Sequence, residues 1–99
     1  ILVEMLPFLG GDIPLSQFGM PGTDELAINA EAVLKNRNAC LLMNHGVLVI
    51  GKNLDQAYVR AQYVEDAARI YHYACELGEP KKLDENVLDA MRGKYHLVK

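Results

Sequence analysis

No run of Lys or Arg long enough to follow a phosphate backbone occurs in this 99-residue sequence, whose 13 acidic and 10 basic residues leave a formal charge of -3. Nucleic acid is therefore not an expected partner. No apolar stretch approaches the roughly 20 residues needed to cross a bilayer, and Ile1-Leu2-Val3 has neither the basic flank nor the length of a signal peptide. A membrane is not expected as a partner either, and the expected compartment is the cytoplasm. Cysteine is scarce. Cys40 falls in a strand-like run and Cys75 in a helix-like run, without the close pairing of a zinc motif or the density of a disulfide scaffold, so both are expected to be buried thiols. An HExxH or HxH pair, a nucleophile elbow, a P-loop and a dinucleotide fingerprint are all missing, and Gly10-Gly11 reads only as a flexible turn.

What is present is the composition of a globular domain with a sizeable core: 51% of the residues are hydrophobic and 23% charged. The length suits one domain. The chain opens on Ile1 inside an apolar run, whereas domain boundaries normally fall in polar, Gly- or Pro-rich chain, so the expectation is a fragment of a longer protein.

Residues 1–6 read as a short strand or the end of an apolar element, and residues 7–14 as a loop. A short extended piece from Leu15 to Phe18 leads to Pro21-Gly22-Thr23, where the Thr hydroxyl is expected to cap a helix running to about Arg37. Asp24 and Glu25 suit the positive end of that helix. Ala39–Met43 and Val47–Ile50 are short, apolar and rich in Val and Leu, as buried strands are. Between them Asn44-His45-Gly46 fits a three-residue hairpin loop with Gly46 at positive φ, one long strand being the alternative. The strongest local signal follows. Asn53 as N-cap and Gln56 as its capping-box partner open a long helix with an apolar stripe through Leu54, Ala57, Tyr58, Ala61, Val64, Ala67, Ala68, Tyr71, Ala74 and Cys75, stopped by Gly78 and Pro80. Asp84 can cap a last helix ending near Gly93. Strands and helices together give a mixed α/β class.

His45, at the joint of two apolar strands, can be a metal ligand, a general base or a turn residue of no consequence. One ring does not make a site, because catalytic zinc usually takes three protein ligands. His72 lies in the long helix and His96 in the tail, neither with a ligand-spaced partner.

The segment from Gly10 to Pro80 nevertheless resembles the second half of the class II aldolase and adducin-head family. It shares a Phe-Gly turn before a capped helix, the phrase LKNRNACLLMNHG, the strand ending in GKNLDQA, and a long helix closing in LGEP. The resemblance implies a partial three-layer α/β/α domain with a largely antiparallel central sheet, residues 1–99 forming the C-terminal portion of one domain. It implies retro-aldol cleavage or epimerisation of a small sugar phosphate, within a homo-oligomer, usually a homotetramer. It further implies a zinc ion held by an HxH pair and a third His, which assigns His45 as that third ligand.

The HxH pair, an upstream glutamate that handles the proton and a Gly- and Ser-containing phosphate loop have no counterpart in this sequence, so no phosphate-binding residue is assigned and the fragment alone is expected to be inactive. The tail VLDAMRGKYHLVK resembles a mobile tail whose tyrosine covers the active site, which makes Tyr95 the candidate catalytic residue, with a ring laid on the surface of the last helix as the alternative. Leu15 stands where the aldolases carry a tyrosine, which leaves sugar phosphates other than fuculose phosphate open. The other reading of the chain is a non-catalytic interaction module like the adducin head.

Overall fold

The computed structural model describes residues 2–97. Its elements are α1 (Met5–Leu9), β1 (Leu15–Ser16), α2 (Asp24–Leu34), β2 (Ala39–Leu42), β3 (Gly46–Val49), α3 (Leu54–Leu77) and α4 (Glu85–Tyr95).

Residues 1–6, of which residue 1 lies outside the described residues, are expected from the sequence to form a short strand or the end of an apolar element, and the structure corrects the strand reading. Met5–Leu9 form one short helix, and the expected loop begins only after it. Pro7 is tolerated because it falls in the first turn, where an amide has no intrahelical acceptor to lose. Gly10 closes the helix in the left-handed region at φ 86°, its N–H donating to the Leu6 carbonyl. A side chain on Gly10 would also run into the Asn36 carbonyl oxygen, at 2.7 Å from its Cβ.

The sheet is mixed, which corrects the largely antiparallel expectation. Its order is β1-β2-β3, with β1 parallel to β2 and β3 antiparallel to β2. The reason is the connection: α2 carries the chain from β1 back to the starting end of the sheet, and strands joined through a helical crossover run parallel. In register, Leu15 faces Leu41 and Ser16 faces Leu42 on one side of β2, while Ala39 faces Val49 and Leu41 faces Val47 on the other.

α2 starts where expected but is capped differently. Thr23 Oγ1 donates to the Met20 carbonyl at 2.6 Å instead of accepting from the first helical turn, and the helix stops at Leu34, not Arg37. Gly19 allows α2 to approach closely, since a Cβ there would meet the Leu26 backbone.

α3 opens with both halves of a capping box: Asn53 Oδ1 accepts from the Gln56 N–H at 2.8 Å, and Gln56 Oε1 accepts from the Lys52 N–H at 2.7 Å. The reciprocal bond lands one residue before the cap. Arg60 adds a third tie, its Nη1 donating to the Ile50 carbonyl at 2.7 Å. Only Val64 and Ala67 of this helix are buried, and they face the core, where Leu9, Ala39 and Val64 meet with Met5, Ile13, Val49 and Tyr63 around them. The expected stripe is therefore covered only in part: Leu54, Tyr58 and Tyr71 are exposed. Cys75 is exposed too, which corrects its reading as a buried thiol, whereas Cys40 is buried as expected.

The pleat turns Ala39 and Cys40 to opposite faces of β2, and both are almost fully buried, so the sheet is covered on both sides at that point. α4 ends at Tyr95, just past the expected Gly93, with Arg92 binding Glu85 and Asp89 along its surface. No helix among the described residues is long and apolar enough to cross a membrane.

Candidate functional site

The β2–β3 hairpin positions His45. Leu42 and Gly46 form the last antiparallel pair, so the connecting turn is Met43-Asn44-His45, one residue earlier than the sequence suggests. Asn44 takes the left-handed conformation at φ 59°, and Gly46 begins β3 without a positive φ. Asn is among the few residues that enter this region at small cost, so the glycine was not required for it. The His45 N–H donates to the Leu42 carbonyl at 2.9 Å, closing the turn. The backbone of His45 is thus fixed and its side chain is exposed.

An exposed imidazole on a closed turn can supply one coordination position or exchange a proton. It cannot form a catalytic zinc centre alone. No group of three or more His, Cys, Asp or Glu that could hold a metal ion occurs among the described residues. His72 is engaged elsewhere, its Nε2 lying 3.2 Å from Glu76 on the exposed side of α3. The donors among the described residues therefore do not make a zinc site by themselves, since such a site needs several ligands acting together.

Tyr95 is the last residue of α4, a helix packed against α1. The residue is 38% exposed, and the Lys94 ammonium lies 5.4 Å from its ring centroid. His45 belongs to the hairpin, and no hydrogen bond or ring contact joins the two among the described residues. Residues 98–99 of the expected covering tail lie outside the described residues.

Three features were not anticipated. Phe8 stacks on Tyr63 with ring centroids 4.0 Å apart, and beside them Pro7, Phe8, Asp55, Gln56, Val59 and Arg60 line an open groove of about 390 Å³. Arg37 reaches Asp12 at 2.9 Å and fastens the Gly10-Gly11-Asp12 loop to the end of α2. Ser16 Oγ is buried without a hydrogen-bond partner. The groove depends on α1, which the sequence did not signal, and the other two depend on contacts between distant residues. Position along the chain cannot show them.

Comparison with known proteins agrees with the fold. The family model described as Class II Aldolase and Adducin N-terminal domain matches residues 1–72. A 5-deoxy-D-ribulose 1-phosphate aldolase of Bacillus thuringiensis is 31% identical over 91 residues, covering 92% of this chain and 43% of the relative. The L-fuculose phosphate aldolase of Escherichia coli K12 is 35% identical over 71 residues, covering 72% of this chain and 33% of the relative. A solved L-fuculose 1-phosphate aldolase superposes with a TM-score of 0.83 at 35% identity, covering 94% of this chain and 44% of the other. The chain spans less than half the length of each of these relatives.

Proposed function

Since the chain belongs to the Class II Aldolase and Adducin N-terminal domain family, we propose that it is the C-terminal portion of a sugar-phosphate aldolase domain and supplies one zinc ligand, His45. The observation that supports this most directly is the placement of His45. Its backbone is held by a closed hairpin turn while its ring is left open to solvent, as a ligand shared with other parts of a protein must be.

With the remaining ligands supplied from elsewhere in the domain, His45 would help to hold zinc, which would supply polarisation of a substrate carbonyl and the neighbouring hydroxyl. The role of this chain is to hold one imidazole at a set position and to provide the strands that carry it. Tyr95 covers the site from the end of α4. The substrate is a ketose phosphate of the kind named for the relatives, cleaved by a retro-aldol step, with epimerisation as the variant of the same chemistry. The working form is a cytoplasmic homotetramer, and the complete domain is a three-layer α/β/α structure. The matched relatives are sugar-phosphate aldolases, which favours the aldolase over an interaction module.

The test uses the 99-residue chain with L-fuculose 1-phosphate and 5-deoxy-D-ribulose 1-phosphate, with zinc and with chelator. A missing general base alone removes about two to four orders of magnitude in rate, so no turnover above background is expected from the isolated chain. When a polypeptide bearing the family's HxH pair is added, zinc uptake and cleavage should appear together, and His45→Ala should abolish both. Chelator-sensitive turnover by the isolated chain would overturn the assignment of an incomplete site. Full zinc binding by the complemented His45→Ala chain would overturn the ligand assignment.

A further inference from the structure

Leu15, Leu41 and Val47 form a row across the three strands. Leu41 pairs with Leu15 on one side and with Val47 on the other, and residues directly opposite in register present their side chains on the same face. All three are exposed, at 53%, 41% and 49%. Two residues along, on that same face, Ala39 is covered by Leu9 and Val64, with Val49 packed against them. One apolar sheet face thus passes from covered to bare within a single pleat repeat. A bare apolar row of this kind marks a surface that something else covers.

We propose that the Leu15–Leu41–Val47 row is the docking surface for the portion of the class II aldolase domain that the relatives carry outside their matched regions. More than half the length of each matched relative lies outside the match, including 56% of the solved L-fuculose 1-phosphate aldolase, by difference from the 44% covered. The row lies at the turn end of the hairpin, and Val47 is two residues from His45. Chain laid over this row is therefore brought beside the imidazole, where the missing donors are needed. No charged residue stands in the row or in the Met43-Asn44-His45-Gly46 stretch to oppose apolar contact. The inference rests on the family membership and on the reading of His45 as a shared ligand, but its test needs neither metal nor substrate.

The experiment mixes the 99-residue chain with the unmatched portion of the E. coli relative and, in parallel, with that of the Bacillus thuringiensis relative. Complex formation is followed by light scattering. In a Cys75→Ser background, a Val47→Cys chain is labelled with a maleimide. The expected result is a one-to-one complex in which labelling of position 47 slows by on the order of tenfold or more, as burial in a stable interface requires. Leu41→Asp should weaken that complex by about 30-fold or more, the effect of removing a central apolar anchor. Its far-UV circular dichroism should match the parent chain, because Leu41 is exposed in the isolated protein. No complex with either portion would overturn the proposal, as would a complex in which position 47 labels at the free rate. Protection that appears in the chain alone and grows with its concentration would assign the surface to a second copy and would also overturn it. Loss of zinc-dependent cleavage in a complex that still protects position 47 would count against the catalytic reading alone.

Discussion

Ala39 and Val49 face each other at one end of the β2–β3 hairpin, and Leu41 and Val47 face each other at the other, all four on one side of the sheet. The first pair is packed under α1 and α3, while Leu41 and Val47 remain roughly half exposed. Alanine is the least apolar of the four and the most buried. Burial along these strands is therefore set by which helix lies across the pleat, and the apolar character of the strand only permits it. The proposed function divides along the same line, since the covered end holds the domain together and the bare end carries His45, the proposed ligand.

The most direct way to break this comparison is to cut a side chain from each end. Leu9→Ala, under the covered end, removes a fully buried anchor and should destabilise the fold by about 2–5 kcal/mol, the usual range for emptying a packed core position. Leu41→Ala, at the bare end, should change stability by no more than about 0.5 kcal/mol, as exposed positions do. Urea denaturation of the two variants decides the matter, and equal losses would show that the two ends are alike.

A smaller effect sharpens the comparison from the covered side. Asn53→Ala deletes the acceptor for the Gln56 amide and should cost about 1 kcal/mol. The joint between β3 and α3 should loosen first, which amide hydrogen exchange at Gln56 and Ala57 would register as faster exchange than at Val64. Uniformly faster exchange across the whole helix would show that the cap and the core unfold as one unit.

The smallest effect is a dependence on pH. Burial pushes the Cys40 thiol up from its ordinary value, because a thiolate in that position would lose its hydration. The native state holds the proton more tightly than the unfolded chain does, so the contribution is fully present below the unfolded pKa, roughly 8.5, and is lost as pH rises from there through the raised pKa of the folded state. Thermal denaturation between neutral and alkaline pH should show a falling midpoint, and Cys40→Ala should flatten that fall even though it lowers the midpoint overall. An unchanged slope in the variant would assign the alkaline loss to other groups.

How far the residues disclosed their structure varies with range. The long helix and its cap were legible because the Asn53–Gln56 signal is local and is reinforced over many turns. Both strands of the hairpin were legible from composition, but the turn was displaced by one residue. Asn44 and Gly46 can both enter the left-handed region, and only the pairing of Leu42 with Gly46 selects between them. α1 was missed because five residues are too few to show a helical period. The parallel pairing of β1 with β2 was missed because it joins Leu15 to Leu41 across α2. His45 could be placed at a strand joint and counted among possible ligands from the residues alone, whereas its assignment as the third ligand came from the resemblance.

Only Ile50, Gly51 and Lys52 lie between the end of β3 and the cap of α3, and each is held. The Ile50 carbonyl accepts from Arg60 and the Lys52 amide donates to Gln56. Gly51 is pressed so near the Ala57 amide that a Cβ would lie 2.8 Å from it. A joint tied in this way has no hinge. α3, about 36 Å long at the usual helical rise, acts as a rigid arm welded to the strand that begins next to His45. The direction in which α3 leaves the sheet is therefore fixed where β3 ends, and the turn that carries His45 lies at the opposite end of that same strand.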